Sequence, residues 1–556
     1  MVAVTVGLFR GMAEKISPRL LPEDMAVSIV NADLDAGTLR PIKAMASASI
    51  TIAGGTSTAA PTSSSKLLFQ ARDGSWFNYI NFDSWTAIDS PIAEDAHNRV
   101  YANGYNSTSS FVLVSTTTAP TTAFFLGLPV AATPSQTISP INSAETETET
   151  AVSRAYVVTH YTAFGEEGPP SVPTAILDVR SDQTVALTLA ASSAAQRNIV
   201  YHRIYRTDAS GSFRFVAQVS ATTSAAFTDT VLDAALGEVL ISQDWNAPPV
   251  GMSGLCSMSN GICAGFKEQT VCFSEAFLPH AWPKRYQLTT QYNITAIKPL
   301  ETGLLVMTEG KPYIVQGADP AGMVMTELNV PYPISSATSA VDMGGSVIYC
   351  STEGLVRVSS SGAALATESL FSSEGWLAAH SPASVTAFLW EGKYVAFHDA
   401  VDGVTGFIFD PRGGKAAFTK HTAGEVNSGF SSTKDDALYV VSGGSVKKFA
   451  ASTDYLEAEW VSRHYYSARP INLGAARVAF GDNLGAGNTV VKLLSSDALD
   501  EPSLSDITHT ETIPDTVNEI TFRLPSGYKD HCFGSKVTTK REIHSISFAE
   551  CPAEIR

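Results

Sequence analysis

Charge is scarce in this chain. Only 16% of its 556 residues are Asp, Glu, Lys or Arg, and acids exceed bases enough to leave a formal charge of −17. That balance argues against a protein that grips nucleic acid over its whole surface, because a net negative surface repels phosphate. Cysteine is sparse as well. Cys256, Cys263, Cys272, Cys350, Cys532 and Cys551 are too few for a disulfide scaffold and include no CxxC pair, so buried reduced thiols and no metal site are expected. No apolar run reaches the length of a membrane span. The amino-terminal stretch is apolar only to Phe9, too short a core for a signal peptide.

Motifs that carry chemistry are missing too. No serine sits in a GxSxG frame, and there is no GxxxxGK[ST] loop, no GxGxxG opening a helix and no HExxH. Nucleophilic hydrolysis, nucleotide binding and zinc proteolysis lose their usual signals, and no cofactor is expected. A propeller glycosidase would need paired carboxylates across a cleft. Asp399, Asp402 and Asp410 are the candidates, but aspartate is favoured in turns because it bonds nearby backbone amides. Arg72-Asp73-Gly74-Ser75-Trp76 approximates a sialidase Asp box without its spacer and does not recur. The expectation is a protein that is not an enzyme.

What the chain does have is repetition. From Asn260 to Ser452 a polar turn followed by short apolar strands recurs at roughly 44 residues, the period of a four-stranded propeller blade. The units begin near Asn260-Gly261, Glu301-Thr302-Gly303, Gly344-Gly345, Glu391-Gly392 and Asp435-Asp436. Around this body, residues 1–45 read as an extended arm broken by Pro18, Pro22 and Pro41, with one short helix expected over Pro22 to Asn31. Residues 46–150 form a β-rich segment that suits a first part of the propeller and closes on the Glu145 to Thr150 tract, read as a boundary or a charged edge strand. Residues 151–245 carry about five alternating strands and suit a small β-sandwich; 246–453 hold the repeats, and 454–556 supply further strands for a C-terminal β-rich domain. The fold class expected is all-β, a propeller-like repeat body with an inserted sandwich and a C-terminal β domain. Within Phe273 to Tyr286, His280 and Trp282 lie between Pro279 and Pro283. They read as a packed turn bonding backbone groups that the prolines leave open, with a rigid recognition loop as the alternative.

Two resemblances extend this reading. TAFGEEGPPS with HRIYRT and FTDT resembles the fibronectin-III superfamily, whose modules mediate contact or spacing. The order of ISPRLLPEDMAVSIVNADLDAGTLRPIKA, that module, NGICAGFKEQTVCFSEAFLPHAWPKRY, PYIVQGADP, STEGLVRVS and FRLPSGY resembles virion structural proteins of tailed bacteriophages, in particular tail nozzle or tail tube proteins of short-tailed phages. That resemblance implies a virion tail protein assembled in the host cytoplasm, in a ring of six identical subunits. The ring would continue the portal and adaptor channel and meet other tail proteins. Genomic DNA would pass through it during ejection without sequence-specific binding. The acidic balance fits either ordinary solubility or a lumen wall to which DNA does not stick. Under this reading Arg10, Arg19 and Arg40 are candidate anchors of the arm, and Leu20, Leu21 and Ile29 candidate buried contacts. Deleting residues 1–40 is then expected to leave the repeats folded but unable to join the particle. The alternative is a receptor- or glycan-binding tail-tip protein, and an envelope-degrading propeller enzyme has the least support.

Overall fold

The computed structural model describes residues 3–52, 60–80, 86–103, 110–114, 123–140, 150–192, 196–412, 417–496 and 507–555. All of the Glu145 to Thr150 tract except Thr150 lies outside them. Among the described residues the fold is all-β, with one α-helix, Ser373–Ala379.

Each repeat folds as one antiparallel sheet, and seven such sheets form a ring. Among the described residues blade one has two strands, Ser65–Gln70 and Trp76–Ile80; blades two to seven have four each and occupy 86–125, 253–289, 294–327, 341–365, 386–421 and 428–448. Blade seven takes its fourth strand, Ala46–Ser47, from the N-terminal side of the chain, so its outer edge is closed by sequence far from it. Ring closure follows from the cores. A separate apolar cluster fills every gap: Phe77 with Val100 between blades one and two, Leu126 with Leu255 between two and three, and Ile262 with Leu304 between three and four. Leu305 with Tyr349, Ile348 with Phe407, Val395 with Val440 and Val441 with Leu68 complete the circle. The second strands are apolar in their central positions because both of their faces are covered; Gly303–Thr308 and Ser346–Ser351 are buried at every position.

The sequence repeat has the right period but starts one strand late. Its polar turns join the first strand of a blade to the second, while the first strands begin at Ser253, Ile294, Val341, Thr386 and Ser428. Glu391-Gly392 shows why turns dominate the signal. Trp390 pairs with Lys393 across a two-residue loop whose φ values are 49° and 76°, the doubly positive geometry that matches strand twist.

Between blades two and three the chain leaves the ring to form the sandwich. Its sheets are Ser135–Ile138, Val185–Leu189 and Ala225–Asp229 against Tyr156–Thr162, Ile199–Thr207 and Phe213–Ser220, with Val152–Arg154 and Leu177–Val179 paired at the side. The sandwich therefore starts ahead of residue 151, because Ser135–Ile138 pairs with Val185–Leu189.

The arm departs most from the sequence reading. No helix forms between Pro22 and Asn31; Met25–Val30 is a strand instead. Its pairing with Ala458–Ser462 on one side and blade six on the other supplies the partners that override local preference. It is the central link of an eleven-stranded sheet running from blade six through Met25–Val30 and Ala458–Ser462 to Asp530–Thr539, Thr489–Ser496 and Ile507–Ile513. Ala3–Val6 is added to the facing sheet, Ile543–Ala549, Ala475–Phe480 and Glu519–Arg523. These two sheets make the C-terminal sandwich, and one hydrophobic core joins it to blades five and six.

Candidate functional site

The densest polar constellation lies where the inserted sandwich meets the propeller. Arg99, on the second strand of blade two, donates from Nε to Asp95 Oδ2 (2.7 Å) and from Nη1 to Glu166 Oε1 in the sandwich (2.8 Å). All three side chains are at most 8% exposed. Burial alone would raise both carboxyls. At Asp95 the Arg99 guanidinium overcomes that and holds the group below its usual range, whereas Glu166 stays raised against the opposing pull of Arg99. The Phe164 ring lies 5.6 Å from the guanidinium carbon and packs edge-on to His97 and Phe124.

Next to Glu166, Glu167 accepts hydrogen bonds from Thr159 Oγ1 (2.7 Å), Tyr205 Oη (2.7 Å) and Arg203 Nη1 (2.6 Å), all within the sandwich. The Glu166-Glu167-Gly168 turn is thus fixed from both sides. Gly168 is needed there, since a Cβ would stand 2.6 Å from Leu128 Cβ. The two linkers of the insertion also touch. Gly127 has a φ of 77°, and a Cβ on it would meet Ala247 and Pro248 at 2.7 Å. Arg197 from the sandwich donates to the Leu126 and Gly127 carbonyls at 2.9 and 2.6 Å. Ion pairs, linker contact and apolar packing of Phe164 against the Tyr101 and Trp282 cluster together clamp the module.

His280 and Trp282 belong to this junction. Both are buried, and the Trp282 indole donates to the Pro279 carbonyl at 2.7 Å. The His280 ring lies against Trp245. Burial, then the charge of Arg99, pushes the His280 pKa down to about 3 against an opposing backbone hydrogen bond at Glu167, so the imidazole is neutral across the ordinary pH range. The clamp itself was missed from sequence. Nothing local in the sequence pairs Glu166-Glu167 with Arg99.

The arm residues are dispersed. Leu21 and Ile29 are buried in the chain's own core, whereas Leu20 is 75% exposed. Arg10 pairs with Asp24 (3.1 Å), Arg19 lies 4.9 Å above the Tyr466 ring, and Arg40 is half-buried in a short pairing with Ala32–Asp33. The aspartates do not converge either. Asp399 and Asp402 are exposed on one hairpin, while Asp410 accepts from Arg412 at 2.9 Å. Cys551 is exposed and the other five thiols are buried; burial raises Cys256, Cys263 and Cys272 to about 12. Among the described residues no group of three or more His, Cys, Asp or Glu could hold a metal ion. No helix there is long and apolar enough to cross a membrane.

No known family model matches the sequence, and no curated protein matches it. Solved structures align at low similarity. The WD40 domain of Neurospora crassa Pan2 is 8% identical with a TM-score of 0.27, over 67% of this chain and 97% of that one. An extracellular domain from B. thetaiotaomicron is 10% identical, TM-score 0.26, over 90% and 77%. PorZ, a surface component of the type-IX secretion system of Porphyromonas gingivalis, is 11% identical, TM-score 0.27, over 85% of this chain and 48% of its own. At these values the likeness carries no argument about function.

Proposed function

We propose that this protein is a structural subunit of a tailed-bacteriophage virion, forming with identical copies, six by the resemblance, a ring-shaped nozzle or tube through which the genome leaves. The observation that supports this reading is the eleven-stranded sheet running unbroken from blade six into the C-terminal sandwich through the arm. It welds propeller and sandwich into one body, and bodies that cannot flex at their joints tile a ring as fixed wedges. The junction around Arg99 fixes the inserted module in the same way. The formal charge of −17 suits a wall along which DNA slides without adhering. Portal-adaptor and other tail proteins are the partners this reading implies.

The role is mechanical rather than catalytic: Asp402 serves a hairpin turn, Asp399 lies exposed in the strand Lys393–Val401 and Asp410 ends a strand paired with Arg412, and the purified protein is expected to hydrolyse neither polysaccharide nor peptidoglycan. Turnover that vanished on changing any of the three to Asn would overturn that part. Negative-stain microscopy of the purified protein and of particles tests the main reading. Rings with a lumen are expected; monomers that bind host cells would replace it with the receptor-binding alternative.

A further inference from the structure

Three segments far apart in the chain enclose a cavity of about 200 Å³ where the arm meets blade six. The arm supplies Asp33, Arg40 and Lys43, the first hairpin of blade six supplies Trp390 and Glu391, and Tyr455 follows blade seven. Each wall is fixed by contacts of its own. Asp33 pairs with Arg40 across a short hairpin and accepts a hydrogen bond from Lys393 Nζ at 3.1 Å, a lysine only 4% exposed. On either side of Lys43 the backbone of Ile42 and Ala44 bonds that of Leu456 and Asp454, at 2.9 and 2.8 Å. Glu391 holds its positive φ in the tight turn between Trp390 and Lys393.

Polar groups around this space are unengaged yet open to water. Among the described residues Trp390 Nε1, Tyr455 Oη and the Arg40 guanidinium have no hydrogen-bond partner, and none of these atoms is sealed inside the protein. Glu391 is exposed and likewise makes no hydrogen bond. The charges are mixed, and they select against an ion. Burial raises the Glu391 carboxyl, and Asp33, Asp35 and Asp436 add to the rise against the pull of Lys393, so the surroundings already resist another negative charge. A cation would meet Arg40 and Lys43 instead. What remains is a neutral ligand whose groups both donate and accept, the property of a hydroxyl. At about 30 Å³ per water the space holds about seven waters, the size of one six-membered sugar ring.

We propose that this cavity binds the neutral pyranose ring of a sugar, its hydroxyls exchanging hydrogen bonds with Trp390 Nε1, Tyr455 Oη, Arg40 and Glu391. Trp390 and Tyr455 suit such a ligand because each presents an apolar body for its C–H groups and a polar tip for its hydroxyls. Trp390 is steadied by edge-on packing on Phe449 at 5.2 Å, and the Lys43 ammonium lies 5.9 Å from the Tyr455 ring. Walls held on paired strands keep the cost of ordering the site low. The proposal does not depend on the nozzle reading and involves no bond cleavage. A free sugar and a residue within a glycan share this chemistry.

Saturation-transfer NMR titration of the full chain with glucose, galactose, mannose and N-acetylglucosamine, and with the methyl glycoside of each, tests it. At least one sugar should saturate a single site in the millimolar range, weakened about fivefold or more by Tyr455→Phe and by Glu391→Gln. Both variants should melt close to the parent, since neither group bonds to the protein; lost binding with an unchanged melt marks a contact to ligand. Binding of the methyl glycosides as well assigns the site to a residue within a glycan, and loss of binding on methylation assigns it to a free sugar. No saturation by any of the four sugars, binding weakened by neither substitution, or tighter binding of acetate or phosphate than of any sugar overturns the proposal.

Discussion

Removing residues 1–40 should unfold the C-terminal sandwich rather than merely detach an assembly arm. Phe9, Met12, Leu21, Ile29 and Leu39 are each at most 1% exposed, and all lie in the core shared with blades five and six. At about 1.5 to 3 kcal/mol for each side chain, their loss removes on the order of 7 to 15 kcal/mol, as much as a whole domain's usual stability. Truncation also leaves Ala458–Ser462 and the outer strand of blade six with open edges where Met25–Val30 had paired. The remaining gaps of the propeller do not use these residues, and Ala46–Ser47 stays to close blade seven. Calorimetry of the truncated chain should therefore show the propeller transition without the C-terminal one, with a matching loss of strand signal in circular dichroism. The point variant Ile29→Asp should act in the same direction. A truncated chain with the parent's melting profile would refute the reasoning, and its incorporation into particles would further deny the arm any part in assembly.

Arg99→Met should cost about 3 to 5 kcal/mol, because it leaves Asp95 and Glu166 buried without their cation; chemical denaturation measures it, and a change below about 1 kcal/mol would contradict the buried pairing. Acid should destabilise the fold well before its carboxylates titrate. Burial lowers His280 and His421 to about 3 and His160 to about 4, and lowers His202, His380 and His398 as well. Above the unfolded value near 6.5 neither state binds these protons. Below it only the unfolded chain does, so each group removes up to about 1.4 kcal/mol per pH unit until its folded pKa is reached. Urea midpoints should fall steadily from pH 7 to pH 4, and a flat profile would show that these imidazoles are not buried neutral.

Legibility in the sequence tracked how local each interaction is. Glu391-Gly392 and Asp402-Gly403 announce hairpins because positive φ at adjacent positions needs few neighbours to explain it. Strands such as Gly303–Thr308 announce burial on both faces by the unbroken apolar run from Leu304 to Met307. Met25–Val30 announced nothing reliable, since its flanking partners Ala417–His421 and Ala458–Ser462 lie about 400 residues further along the chain and a strand is defined by what it pairs with. Ser135–Ile138 was missed for the same reason. Composition gave the sign of the charge but no hint that Arg99, one of 37 basic residues, would be buried.

The Arg99 clamp raises the question of why an ion network holds a joint that apolar packing would stabilise as well. Replacing a buried ion pair or triad with fitted apolar side chains is often neutral or stabilising, so stability alone does not explain Asp95, Arg99 and Glu166. Orientation does. Apolar surfaces tolerate sliding, whereas Arg99 satisfies both carboxylates only when the Glu166 turn sits at one angle over blade two. A triple variant, Asp95→Leu, Arg99→Met and Glu166→Leu, should therefore melt within a few degrees of the parent yet broaden the range of sandwich orientations. Small-angle scattering reads that as a larger spread of maximum dimension, and spin labels on blade two and on the sandwich read it as a wider distance distribution. Unchanged distributions in a stable triple variant would show that the linker contact of Gly127 with Ala247 and Pro248 fixes the angle by itself.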